Sequence, residues 1–139
     1  MNKIKSILTG LAVVLLMAAC GDDTGTTDTE APRDELIVGT WQSVVHRQDG
    51  NVVTGEGYRE FEFRDNGTVL IEEFEEDGSP IDNIEDNWAL TESDERIQFD
   101  TEGQYDVIKM NADSMTLEYN KADPFSGDLI LHSDDFLKQ

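Results

Sequence analysis

The sequence predicts an all-β domain from residue 36 to residue 139, an eight-stranded antiparallel up-and-down β-barrel. Three observations lead to this prediction. Apolar and polar side chains alternate in short runs from Leu36 onward, which is the pattern of strands with one buried face. Gly, Asn and Asp residues separate the runs at regular intervals, as in antiparallel sandwiches and barrels. No apolar stripe of helical period and useful length runs through the same region.

The predicted strands are joined by turns rather than by long crossovers. The residues between them are rich in Gly, Asn and Asp, which tolerate the positive φ that tight hairpin turns require. Short connections favour pairing of consecutive strands, and hence a meander. The eight predicted strands span residues 37–46, 58–64, 68–75, 84–90, 96–100, 104–110, 114–120 and 127–132.

Alternation within the strands assigns an inner and an outer face. Phe61 and Phe63 point one way while Glu60 and Glu62 point the other. The outer positions are largely charged, which excludes a membrane-spanning barrel with an apolar outer surface. An eight-stranded barrel is either just filled by side chains or holds one small ligand, and we expect much of the lumen to be packed. The candidate lumen residues, for which core packing is the ordinary role, are Trp41, Phe61, Phe63, Trp88, Phe99, Met115 and Tyr119.

The N-terminus has the pattern of a secretory signal. Lys3 and Lys5 precede an apolar stretch over residues 7–19, and small residues precede Cys20. The stretch has about 13 residues, whereas a spanning helix needs about 20, so a short transmembrane anchor is the weaker alternative. The segment resembles a bacterial lipoprotein signal. This resemblance implies cleavage before Cys20, which would carry a thioether-linked diacylglycerol.

The residues after Cys20 predict a tether and a location. Residues 21–34 are polar and contain almost nothing that could be buried, so we expect disorder. The predicted organisation is a signal peptide over 1–19, a lipidated tether over 20–35 and a barrel over 36–139. Gly21 stands where the inner-membrane retention signal has Asp, which favours the outer membrane of a bacterial cell envelope. The following pair, Asp22 and Asp23, resembles acidic sorting signals for display on the cell surface.

Composition limits the partners of the chain. It carries 31 Asp and Glu against 10 Lys and Arg, a formal net charge of −21. Such a surface repels nucleic acids and anionic headgroups, so membrane attachment would depend on the lipid anchor alone, and cationic ligands or divalent metals are the favoured partners. Cys20 is the only cysteine. The chain therefore has no internal disulfide, and lipidation would leave no thiol for catalysis or for zinc.

One motif suggests a family. Val38-Gly39-Thr40-Trp41 opens the first predicted strand, and Phe61-x-Phe63 is followed by Asp65-Asn66-Gly67-Thr68-Val69. In these features the chain resembles the lipocalin-like domains of secreted bacterial lipoproteins, over residues 36–132. The resemblance implies that Gly39 permits a tight entry, that Trp41 plugs one end of the barrel, and that the domain binds a small apolar molecule. The basic residue that the family stacks on this Trp has no obvious match, and Lys138 is a poor substitute.

The sequence offers little catalytic chemistry. The only histidines are His46 and His132. Each ends its predicted strand, and the first and last strands of a closed meander are antiparallel, so we expect the two at opposite rims, unable to share a metal or a proton. No catalytic or phosphate-binding motif is present; we therefore predict a protein that is not an enzyme and needs no cofactor. Asp86 shares a strand face with Trp88. We expect its side chain either to point inward and form an ion pair with Arg59, or to lie at the solvent-exposed rim of the barrel.

Three functions remain open at this stage. The first is a non-catalytic module for a small apolar or amphipathic ligand. The second is a protein-interaction or enzyme-inhibitor module with a packed barrel and no ligand cavity. The third is weak calcium binding at the acidic 77–87 loop, where a solvated loop is the ordinary alternative. Calcium prefers oxygen ligands of the kind found there, and the candidates are Asp77, Ser79, Asp82, Asn83, Glu85 and Asp86.

Overall fold

The computed structural model describes residues 31–139 except residues 92 and 94. The predicted signal peptide, Cys20 and residues 20–30 of the predicted tether lie outside this range. The described chain forms one antiparallel sheet in the order β2-β1-β3-β4-β5-β6-β7-β8-β9, closed by pairing of β1 with β9. Its elements are α1 (Arg33–Ile37), β1 (Gly39–Gln48), β2 (Asn51–Val53), β3 (Tyr58–Phe63), β4 (Thr68–Phe74), β5 (Pro80–Thr91), β6 (Arg96–Phe99), β7 (Gln104–Met110), β8 (Ser114–Ala122) and β9 (Leu129–Lys138).

The predicted eight-stranded up-and-down barrel is confirmed. Every strand from β3 to β9 pairs with its neighbour in sequence, and β9 returns to β1 to close the sheet. The ninth strand, β2, is a three-residue extension that pairs only with the end of β1. The turn predicted between β3 and β4 is present: Gly67 has a φ of 81°, and Asn66 Oδ1 accepts a hydrogen bond from the amide of Thr68 at 3.0 Å.

The last strand differs most from the prediction. It runs from Leu129 to Lys138 rather than over residues 127–132; residues 129–137 pair with β8 and residues 132–138 pair with β1. The prediction stopped early because Ser133, Asp134 and Asp135 interrupt the apolar alternation. Asp134 nevertheless faces inward, in phase with Phe136, and both side chains are buried. The register thereby places His132 opposite Gln48, near the end of β1.

Two other boundaries depart from the prediction. Strand β5 begins at Pro80, so most of the predicted acidic 77–87 loop is strand. Its first residues pair with β4, where Asp82 lies opposite Glu73. At the N-terminus, α1 begins at Arg33, within the range predicted as tether. No described helix is long and apolar enough to cross a membrane.

Aromatic side chains fill the middle of the barrel. Phe61 lies at the centre of this core, with its ring centroid 5.1 Å from that of Phe136 and 6.0 Å from that of Phe99. All seven candidate lumen residues belong to the core or pack against it. Five are fully buried, namely Trp41, Phe61, Phe63, Phe99 and Met115, and two are partly buried, namely Trp88 and Tyr119.

The end of the barrel near α1 is closed. Ile37 is fully buried, and its carbonyl accepts a 2.7 Å hydrogen bond from Trp41 Nε1. Lys138 Nζ lies 5.1 Å from the centroid of the Trp41 ring and donates a hydrogen bond of 2.9 Å to the carbonyl of Leu36. Trp41 is therefore the plug that was expected. Lys138 supplies the stacked cation, and its dismissal as a poor substitute was wrong.

Gly39 is required at this closed end for two reasons. Its φ is 130°, a conformation that residues with a side chain rarely adopt. A Cβ atom at this position would also lie 2.7 Å from Lys138 Cε. The tight start of β1 that was expected at Gly39 is thus explained by the close approach of the Lys138 side chain, which stacks on Trp41.

Candidate functional site

The opposite end of the barrel is open and contains a cleft of about 500 Å³. The cleft lies between the two longest hairpins, β4–β5 and β8–β9, and extends down to the ends of β1 and β3. The hairpin formed by the shorter strands β6 and β7 turns below it, at residues 100–103. The unequal strand lengths therefore leave a hollow above the aromatic core.

Apolar side chains form the walls of the cleft. On one side, the rings of Tyr58 and Phe74 stack at a centroid distance of 4.8 Å and an interplanar angle of 15°, and Ile81 lies beside them in the lining. On the other side, Phe125 and Ile130 belong to the β8–β9 hairpin. Two apolar walls facing each other suit a flat or elongated apolar group.

Arg59 covers the aromatic core at the floor of the cleft. Its guanidinium carbon lies 5.0 Å from the centroid of the Phe61 ring. Nη1 donates a 3.2 Å hydrogen bond to the hydroxyl of Tyr105, and Nη2 donates one of 3.1 Å to Glu102. Nε lies 3.2 Å from a carboxylate oxygen of Glu73. Burial alone would lower the pKa of Arg59, but Tyr105, Tyr119 and Glu102 hold it above its usual value, so this buried group stays charged.

Two histidines meet on the wall beside Arg59. His46 Nδ1 is hydrogen-bonded to a carboxylate oxygen of Asp134, whose other oxygen accepts a 3.2 Å hydrogen bond from the hydroxyl of Tyr119. His132 Nδ1 lies 3.3 Å from His46 Nε2. Glu56 Oε2 lies 3.5 Å from the same His46 nitrogen. The expectation that the histidines occupy opposite rims is therefore wrong, because β9 continues to Lys138 and brings His132 alongside the end of β1.

Burial and neighbouring charges set the protonation of this cluster. Asp134 is only 2% exposed. Burial, followed by the neighbouring His46, lowers the pKa of His132. Burial, followed by the charge of Asp134, raises the pKa of Tyr119. Near neutral pH, Tyr119 is thus a hydrogen-bond donor and His132 is an uncharged imidazole.

Asp86 is buried for a structural reason. Its side chain accepts hydrogen bonds from the Thr101 amide at 2.9 Å, from the Thr101 hydroxyl at 2.7 Å and from the Asn87 amide at 2.8 Å. Both expectations for Asp86 were wrong: Arg59 bonds elsewhere, and the carboxylate is buried rather than at the wet rim. It holds the turn between β6 and β7.

The predicted calcium ligands do not converge. Asp77 accepts a hydrogen bond from the amide of Ser79 within the β4–β5 turn, whereas Asp82, Glu85 and Asp86 follow one another along β5. Across the part of the chain that the structure describes, no group of three or more His, Cys, Asp or Glu side chains is arranged to hold a metal ion. Calcium binding at residues 77–87 stays a prediction without structural support.

Only one candidate lumen residue, Tyr119, lines the cleft. The others belong to the core or to the closed end. Trp88, for example, donates through Nε1 to the carbonyls of Arg64 and Thr68. The lining residues that sequence reasoning missed are mostly polar, including Arg59 and His46. The in-phase spacing of His132, Asp134 and Phe136 was a signal that could have revealed part of the site.

Comparison with known proteins gives one consistent answer. A family model for the lipocalin-like domain matches residues 37–117. Among solved structures, a complex of bovine odorant-binding protein with a selenium-containing odorant is 17% identical, with a TM-score of 0.50 over 76% of this chain and 72% of that chain. The odorant-binding protein from bovine nasal mucosa is 20% identical, with a TM-score of 0.50 over 77% of this chain and 73% of that chain. No curated protein sequence matches the chain significantly.

Proposed function

The chain belongs to the lipocalin-like domain family, and from this premise we propose that it is a non-catalytic carrier binding one small amphipathic molecule in its open cleft. The supporting observation is the contrast between the two halves of the barrel. Aromatic side chains fill the lower half, whereas the upper half keeps a cleft of about 500 Å³. That volume falls within the range of roughly 300–1,000 Å³ that small-molecule sites occupy.

The lining of the cleft supports an amphipathic rather than a purely apolar ligand. The walls built from Tyr58, Phe74 and Ile130 would take an apolar body, while Arg59 and His46 would face a polar end. Most polar atoms of the floor already have partners within the protein, so the polar end would bind through a small number of hydrogen bonds. The similar bovine protein forms a complex with a selenium-containing odorant, which supports a small-molecule ligand for this chain.

Titration with the neutral fluorescent probe N-phenyl-1-naphthylamine tests whether the cleft binds a small molecule. Probe emission should rise and saturate at one probe per chain. The variant Ile130→Trp should weaken binding at least tenfold, because the larger ring fills the cleft. The matched control is Ile108→Trp, since Ile108 is exposed on β7 and does not line the cleft. Absence of probe binding by the unmodified chain, or equal binding by a folded Ile130→Trp variant, would contradict the proposal.

We further propose that the domain is held at the outer membrane of a bacterial envelope through Cys20. The sequence features that support this are the apolar stretch ending before Cys20 and the absence of Asp after it. Labelled palmitate should be incorporated into the unmodified chain and not into Cys20→Ser, which should leave the membrane fraction. Cleavage by protease added to whole cells would support surface display. Membrane association of Cys20→Ser at the level of the unmodified chain would contradict the anchor.

A second candidate function, a protein-interaction or inhibitor module, is favoured by the apolar rim around the open end. Phe125 is 97% exposed, and Leu129 and Val52 are also exposed. Exposed apolar side chains grouped at one end are typical of interaction surfaces. The unmodified chain should then retain an envelope protein or a secreted protease that Leu129→Ser with Val52→Ser does not retain, while both bind the fluorescent probe equally. If neither form retains a partner or inhibits a protease, this function is wrong.

A further inference from the structure

We propose that His46 and His132 form a binding site for a single divalent metal ion of the zinc type on the wall of the open cleft. The proposal is independent of the small-molecule ligand. It rests on the relative position of the two imidazole rings, on the carboxylate that orients one of them, and on the open space in front of both.

The two rings are placed as two ligands of one tetrahedral ion would be. With Zn–N bonds of about 2.0–2.1 Å, two nitrogens on one zinc lie about 3.3–3.4 Å apart, and their ring centroids about 5.2 Å apart. The corresponding distances between His46 and His132 are 3.3 Å and 5.1 Å. A linear hydrogen bond between two imidazoles of the same N–N distance would put the centroids about 5.6 Å apart. The observed centroid separation is therefore closer to that of two ligands on one ion than to that of a linear hydrogen bond.

Asp134 prepares His46 for this role. Its buried carboxylate is hydrogen-bonded to His46 Nδ1, so Nε2, the nitrogen that faces His132, is the one that would bind the metal ion. Tyr119 in turn holds Asp134 through a 3.2 Å hydrogen bond. A carboxylate bonded to the outer nitrogen of a histidine fixes its tautomer and increases its basicity toward a metal. Asp134 is thus a positioning residue that does not touch the ion.

The surroundings favour a cation with open coordination positions. Glu56 places a carboxylate oxygen 3.5 Å from His46 Nε2, and this negative charge beside the ring favours a cation there. Since no third protein ligand completes the site within the described residues, water from the cleft would fill the remaining positions. Glu56 is placed to accept a hydrogen bond from such a water. The net charge of −21 raises the local concentration of cations.

The test uses the purified full chain without a histidine tag, titrated with Zn²⁺ and followed by calorimetry and by NMR of the histidine rings. Because His46 and His132 are the only histidines, the ring signals report on this site alone. We expect one ion per chain, with both rings shifting together and saturating at the same point. His46→Ala and His132→Ala should each weaken binding at least tenfold. Asp134→Asn should weaken it about 10–100-fold, the usual effect of losing such a partner.

Two controls keep the outcome clear. Asp135→Asn removes a neighbouring carboxylate that pairs with Arg47 instead, and it should bind Zn²⁺ like the unmodified chain. Binding of the fluorescent probe to metal-free protein tests the cleft separately, so failure of one proposal is distinguishable from failure of the other. If Zn²⁺ leaves either ring signal unmoved in the unmodified chain, the site does not exist, and this measurement needs no variant that could misfold. Binding that survives in both folded histidine variants would also overturn the proposal.

Discussion

The ammonium group of Lys138 lies 5.1 Å from the centroid of the Trp41 ring, across the seam where the last strand meets the first. The same group donates a 2.9 Å hydrogen bond to the carbonyl of Leu36. Trp41 in turn donates to the carbonyl of Ile37 at 2.7 Å. One cation and one indole therefore satisfy two carbonyls of α1 and hold it across the end of the barrel.

Replacing Lys138 with Met should destabilise the barrel by about 1–2 kcal/mol. The change keeps the length of the side chain but removes both the cation over the ring and the donor to Leu36. Lys138→Arg should lose less, because it keeps the charge. The free energy of unfolding in urea measures the effect. Lys109→Met removes an exposed lysine from β7 and is the matched control; equal stability of the Lys109 and Lys138 variants would contradict the role of this contact.

Truncation of Phe61, at the centre of the aromatic core, should strongly lower the stability of the barrel. This side chain is fully buried and its ring contacts those of Phe63, Phe99 and Phe136. Phe61→Ala should cost about 3–5 kcal/mol, because it leaves a cavity that the surrounding rings cannot collapse to fill. Phe125→Ala is the control, since that ring is almost wholly exposed, and it should leave the unfolding transition unchanged. A similar midpoint for the two variants would show that the barrel is not filled as described.

The Asp86→Asn variant should be less stable than the unmodified chain by an amount that depends on pH. Burial alone would raise the pKa of Asp86, but the hydrogen bonds from Thr101 and Asn87 outweigh this and hold the pKa below its usual value. The charged form therefore stabilises the fold above the unfolded pKa of about 3.9, and this contribution is lost as the pH falls through the lower folded pKa. Asp86→Asn should lose about 1–2 kcal/mol at pH 7.

The gap between Asp86→Asn and the unmodified chain should close in acid, which urea unfolding at several pH values would detect. Asp82→Asn is the control on the same strand, because Asp82 is exposed and accepts a hydrogen bond from the amide of its neighbour Asn83. A gap for Asp86→Asn that stayed constant down to pH 2 would show that the lost interaction does not depend on ionisation.

The barrel could be predicted from the sequence because apolar and polar residues alternate regularly in its strands and because Gly, Asn and Asp mark its turns. Phe61 and Phe63 face inward between outward glutamates, and the Gly67 turn that follows sets the pairing of β3 with β4. Consecutive pairing then fixes most of the topology. The plug at Trp41 followed from the resemblance and is confirmed by the structure.

The candidate site was largely beyond the reach of the sequence, because its inward side chains are polar. Arg59, His132 and Asp134 occupy core-facing positions at which alternation predicts apolar residues. The ionic partners of Arg59 and Asp134 lie far away in the sequence, so these pairs have no local signal. With the predicted last strand, which ends at residue 132, the two histidines would lie far apart. The observed strand ends at Lys138, and this places them side by side. The site therefore depended on the boundary that the sequence determined least well.

Arg59, at the floor of the cleft, should contribute to the stability of the fold. Its guanidinium group is mostly buried and lies between the carboxylates of Glu73 and Glu102. Arg59→Gln should cost about 1–3 kcal/mol, because it removes the charge-assisted hydrogen bonds that the buried guanidinium donates to Tyr105 and Glu102. Arg47→Gln is the matched control: Arg47 pairs with Asp135 at the surface, and its loss should leave the unfolding midpoint in urea unchanged. If the Arg59 variant unfolds at the same midpoint as the Arg47 variant, water rather than Arg59 satisfies these carboxylates.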